Sequence, residues 1–229
     1  MSTLRYIVSL GCLLLWSQTV LGQSIDTLVI TEPKEPVSWR PQALRVGLDL
    51  SQIARQIIFD EFTSLYEVHA DLGLHNYFLV ADYGHSASRR QQEDFDYSNQ
   101  GNYVRLGLDV NFLKDDPNQT AIFFGIRYAT SSFDDKLQFD RVDAFGSHQL
   151  IFETSASKAS WFEVNAGLKV RIWKGLYLGY TARYKFGLQL KNKEGLIPLD
   201  IPGYGLYQID DTDNFGFNYH VFWRFPFRK

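Results

Sequence analysis

Two histidine–serine neighbours, His85-Ser86 and Ser147-His148, offer the residue types that a serine-dependent hydrolase of the outer leaflet would need. Residues adjacent in a chain seldom share the geometry of a nucleophile and its base, so neither pair defines a catalytic site. Asp200 with Asp210, Asp211 and Asp213 supplies carboxylates suited to a hard cation, but Phe215 stands where a calcium loop places a further oxygen ligand. The five histidines, at 69, 75, 85, 148 and 220, follow no zinc spacing, and no glycine-rich loop could cradle a phosphate. No catalytic, cofactor-binding or metal-binding residue is therefore assigned, no cofactor is expected, and the chain is not read as an enzyme. A different set of ionisable residues is regular: Arg45, Asp49, Glu67, Asp71, Asp82, Arg105, Asp109, Arg127, Glu163, Lys169, Arg171, Arg183, Lys185 and Arg224, with His69 and His220 beside them. Within each stretch they recur at even intervals between apolar residues, which puts them on one face of extended chain.

Strands must position them. Arg45 to Leu50 and Tyr66 to Leu74 alternate polar with apolar, and the pattern returns at 77–84, 103–112, 121–129, 161–172, 176–188 and 215–225. The spacing predicts eight strands. Long links alternate with short ones: the bare His75-Asn76, 114–119 and Trp173-Lys174-Gly175 are short, whereas the links before 66, 103, 161 and 215 are long. Short turns on one rim and long loops on the other characterise antiparallel outer-membrane barrels, whose short turns face the periplasm.

No position on the apolar faces of these strands is charged. A lysine or arginine facing lipid costs about 2–4 kcal/mol at the bilayer midplane, so lipid would purge charge there, and a dry core would do nearly the same. The glycines choose between the two. Gly47, Gly73, Gly84, Gly107, Gly125, Gly167, Gly179, Gly187 and Gly216 all fall on the polar face. On a solvated surface they would only weaken the strands, but inside a narrow tube they open room for an arginine or aromatic from across the barrel. The polar face is accordingly expected to point inward and its mixed-sign charges to neutralise one another as a salt-bridged plug.

The N-terminus carries Arg5, an apolar run from Tyr6 to Trp16 and a small-residue site ending at Gly22, the parts of a secretory signal peptide over 1–22. The only cysteine, Cys12, lies within it. Residues 23–43, with Pro33, Pro36 and Pro41, read as a periplasmic linker, leaving 44–229 for the barrel. A net charge of −3 over 229 residues provides no basic field for a nucleic acid. At 45% hydrophobic and 21% charged, the chain can bury a core and is not of disordered composition.

Several stretches resemble a known family: Arg45-Val46-Gly47-Leu48-Asp49-Leu50-Ser51, Gly125 to Phe133, Ala159-Ser160-Trp161-Phe162-Glu163, Gly175-Leu176-Tyr177-Leu178-Gly179 and Ile201-Pro202-Gly203-Tyr204-Gly205. Over roughly 44–229 the chain is similar to the Bacteroidota outer-membrane β-barrel family catalogued as domain of unknown function 6048. The resemblance implies location and fold and brings no activity. The ending departs from the usual barrel pattern, since Phe225-Pro226-Phe227 is followed by Arg228 and Lys229.

The fold expected is thus all-β: a closed antiparallel transmembrane barrel of about eight strands in the cell outer membrane, with short periplasmic turns and long extracellular loops. Outer-membrane lipid is the expected surrounding. An envelope protein partner would meet the long loops, chiefly 132–157 and 189–213. Two alternatives remain from the residues alone, an outer-leaflet lipid-modifying enzyme and a soluble periplasmic ligand-binding barrel.

Overall fold

The computed structural model describes residues 39–51, 63–92, 95–113, 119–143, 146–191, 196–209 and 212–227. The expected signal peptide, most of the expected linker and the segment 52–59 lie outside the described residues. The strands are β1 (Pro41–Asp49), β2 (Thr63–Leu74), β3 (Tyr77–Gln91), β4 (Phe95–Asn111), β5 (Ala121–Asp143), β6 (Gly146–Trp173), β7 (Leu176–Lys191), β8 (Asp200–Ile201), β9 (Gly205–Leu206) and β10 (Asn214–Pro226). No helix among the described residues is long and apolar enough to cross a membrane.

Eight of these strands pair antiparallel in the order β1-β2-β3-β4-β5-β6-β7-β10, with β8 and β9 outside the ring, and β1 closes it against β10 through Leu44↔Phe225 to Asp49↔His220. Closure satisfies every ladder and removes the exposed edge that an open sheet would leave. Two-residue turns at His75-Asn76 and Lys174-Gly175 join β2 to β3 and β6 to β7 at one end.

The alternation inverts a water-soluble protein. Inward positions hold the charges: Arg105 and Arg127 are buried beside Leu106 and Ile126, which are 58% and 62% exposed. Leu48, Val68, Leu79, Leu108, Phe124, Leu168, Leu178 and Phe217 continue the exposed apolar surface around the ring. Aromatics border it, with Tyr66, Tyr83, Tyr128 and Tyr184 on one side and Trp39, Phe112, Trp173 and Trp223 towards the short turns.

Above Tyr128 the outward residues become Thr130, Ser132 and Asp134, and above Val104 they become Asn102 and Gln100, all exposed. The strands nevertheless continue. Segments expected as long loops, 85–102 and 130–160, are two hairpins whose ladders run to Gln91↔Asp96 and Asp143↔Gly146. Backbone pairing persists where the apolar alternation stops, so the periodicity that marks the lower barrel is silent here. At about 3.3 Å per residue, β5 runs on for roughly 50 Å beyond Tyr128.

The segment expected as a second projecting loop, 189–213, also differs. Its central described stretch, 196–209, folds back into the ring and carries the short β8–β9 pair. Within β7, Gly187 has φ +65°, and the register with β6 shifts between Ser160 and Phe162. This glycine bulge reverses the facing of the strand above it. Gly187 is exposed instead of inward, while Leu188, expected outward, packs against the buried cluster of Tyr103, Phe133, Trp161, Ile201 and Tyr204.

Candidate functional site

The expected charge set converges in the lumen. Arg45, Asp49, Glu67, Asp71, Asp82, Arg105, Asp109, Arg127, Glu163, Lys169, Arg183 and Lys185 are buried, as are His69 and His220. Arg171 and Arg224 are partly exposed towards the short-turn end.

A continuous ladder of ion pairs links most of them. Arg45 Nε donates to Asp71 (2.8 Å), whose other oxygen receives Lys169 Nζ (2.6 Å). Asp109 faces Lys169 at 4.0 Å and Arg127 at 3.2 Å. Arg127 also donates to Asp82 (2.7 Å), which Arg183 reaches at 3.2 Å. Arg183 continues to Glu67 (3.1 Å) and Glu163 (3.2 Å), and Arg105 closes the circuit on the same two carboxylates at 2.7 and 2.9 Å. Trp161 Nε1 and Tyr103 Oη donate to Glu163 and Glu67 at 2.8 and 2.6 Å. Each of these carboxylates thus lies within 4.0 Å of at least two cationic side chains, which offsets the large cost of taking it out of water. His69 lies between Asp82 (2.6 Å) and Asp71 (3.3 Å), and both contacts are hydrogen bonds only when each ring nitrogen carries a proton.

Asp49 stands apart, accepting from Ser51 N (2.8 Å), Ser51 Oγ (2.7 Å) and Asn218 Nδ2. With Glu67 and His220 it forms a group whose potential ligand atoms lie within 4.8 Å of one another. Glu67 is already engaged by Arg105, Arg183 and Tyr103, so a cation there would compete with two guanidinium groups.

Close packing of this interior depends on glycine, though not from across the barrel as the sequence suggests. Gly84 is the direct β3–β4 partner of Tyr103, and a Cβ on it would lie 2.1 Å from Tyr103 Cζ. The ring therefore lies over its neighbour's backbone and keeps its hydroxyl on Glu67.

Above the ladder sits the folded-back loop, a feature that the charge pattern does not contain. Tyr204 N donates to Ile201 O (2.9 Å) across Pro202-Gly203, and Gly203 has φ +79°. Proline followed by a glycine of positive φ is the type II turn signature, so this motif was readable as a tight turn. Arg105 and Lys185 donate to Gly203 O (2.8 and 3.0 Å), Lys185 also to Tyr204 O (2.7 Å), and Tyr204 meets Trp161 edge-on at 5.3 Å. Tyr97 Oη accepts from Leu199 N and Asp200 N (3.1 and 3.4 Å) and donates to Asp135, while Asn99 donates to Asp135 (2.7 Å) and Asp200 O (3.0 Å). Burial pushes the Asp200 carboxyl above its ordinary value, and burial does the same to Asp135 against the pull of Tyr97 and Asn99.

Among the described side chains, those first considered for chemistry are not brought together. Ser86 is buried on the inner face of β3, whereas His85 faces the opposite side and pairs with Asn102 (2.9 Å). His148 is exposed in β6. Asp210 and Asp211 lie outside the described residues, and Asp213 accepts from Tyr184 Oη.

A family model described as "Domain of unknown function (DUF6048)" matches residues 3–229. No curated protein matches the chain. Among solved structures, CarO of Acinetobacter baumannii is similar at 11% identity, covering 82% of this chain and 98% of that one, with a TM-score of 0.39.

Proposed function

The chain belongs to the DUF6048 family, whose description assigns no activity, and from its physical chemistry we propose that it is a small outer-membrane barrel with a sealed lumen that presents a rigid extracellular hairpin to a partner. One observation carries this reading: a ring of eight strands exposes large apolar side chains all round while its charges are buried inside. Such a belt far exceeds the apolar patches that soluble monomers expose, and hydrocarbon is the solvent in which it is stable. The belt ends in tyrosines, above which the outer face turns to Thr130, Ser132 and Asp134, as expected where lipid gives way to water. The short turns then face the periplasm and the β5–β6 hairpin projects outward. That hairpin carries exposed Ile151 and Phe152, the latter stacked on Phe139 at 5.8 Å, a surface suited to an envelope protein.

Two layers support a sealed lumen, the ion-pair ladder and the 196–209 loop above it. An eight-stranded barrel leaves room for side chains and none for a water-filled channel. The purified protein should show heat-modifiable migration, partition with membranes and give conductance near background in planar bilayers. Stable single-channel currents would contradict the sealed lumen, and recovery in a detergent-free soluble extract would contradict the membrane location.

A further inference from the structure

At the short-turn end a cavity of about 250 Å3 opens beneath the ladder, bounded by Arg45, Arg224, His75, Asn76, Asn111 and Gln119. Arg45 and Arg224 are direct partners across the β1–β10 pair, so two guanidinium groups share one small space. Like charges directly opposite one another repel unless something neutralises them.

Among the described residues, the carboxylate nearest this pair is already engaged. Asp71 is shared among Arg45, Lys169 and His69. Arg45 is 5% exposed, and its Nη2 is buried with no hydrogen-bond partner. No ion pair to Arg224 forms among the described residues. A buried donor without an acceptor is costly, and an arginine fork matches the oxygens of a phosphate. Tyr177 Oη donates to Gln119 Oε1 (3.2 Å), which leaves the amide NH2 of Gln119 as a further donor at the cavity.

We propose that this mouth is a binding site for a phosphate-class oxyanion, held between Arg45 and Arg224. Of the two guanidinium groups only Arg45 meets a carboxylate among the described residues, and a dianion can bridge both where a monoanion would serve one. The compartment that the mouth faces rests on the barrel orientation proposed above, but binding itself does not.

The test is calorimetric titration of the full chain in detergent, first with inorganic phosphate against chloride at matched ionic strength, then with short-chain phosphatidic acid. Saturable binding with about one site, weakened at least tenfold in Arg224→Gln, is the expected result. Arg224 makes no ion pair among the described residues, so this variant should keep heat-modifiable migration, and that gel reports folding separately from binding. Response to inorganic phosphate identifies a free phosphate compound as the ligand, and response to phosphatidic acid alone identifies a lipid headgroup. Absence of saturable binding to both probes, or equal affinity in wild type and Arg224→Gln, overturns the proposal.

Discussion

Arg183 shows how tightly the interior is specified. Its guanidinium contacts Glu67, Asp82 and Glu163, carboxylates contributed by three other strands. Removing one member of a buried ionic group leaves its partners charged and unsatisfied, at about 3–5 kcal/mol. Arg183→Met should therefore lower unfolding stability in lipid vesicles by about that amount, read from urea titration, while Arg89→Met should leave it nearly unchanged because Arg89 pairs with Asp96 at the surface, where water screens the pair. Equal effects of the two would show that the ladder is not what holds the barrel. The even spacing of these charges was legible because strand geometry fixes which face each residue occupies. Their partners were not legible, since pairing around the ring depends on register and on the inclination of strands that one sequence does not display.

Between strands and loops the sequence is a partial guide. Alternation identifies the lower barrel, yet β4, β5 and β6 continue upward, where the outer face is polar and the inner face mixes Asn99, Ser131 and Ser157 with Tyr97, Phe133 and Ala159. Apolar alternation there reports the solvent, not the hydrogen-bond ladder, and so the upper hairpins read as loops. The docking of 196–209 depends on Tyr97, Asn99 and Arg105, far away in sequence, although Pro202-Gly203 marked the turn. That docking should respond to acid. Asp135 and Asp200 both lie above the apolar belt with carboxyls raised from the ordinary 3.8 by burial. The docked state then binds protons more readily than the released one, so its added stability is complete below pH 3.8 and is lost as pH rises through the raised values. Hydrogen exchange of amides 199–206, corrected for intrinsic rates, should show greater protection near pH 4 than at pH 8. Asp200→Asn should reduce that difference. A loop better protected at pH 8 would have the sign wrong.

Across the entire barrel, stability depends on which solvent each face meets. Ionic interior, apolar belt, tyrosine border and polar hairpins form a consistent series only if hydrocarbon surrounds the ring between Tyr128 and the short turns. Single cysteines introduced along β4 in a Cys12→Ser background, spin-labelled and reconstituted into liposomes, measure this residue by residue. Labels at Val104, Leu106 and Leu108 should collide readily with dissolved oxygen and little with a water-soluble nickel complex, while labels at Asn102 and Gln100 should reverse that preference. Ready access of the nickel complex to Leu106 and Leu108 in the reconstituted protein would contradict the lipid-facing belt.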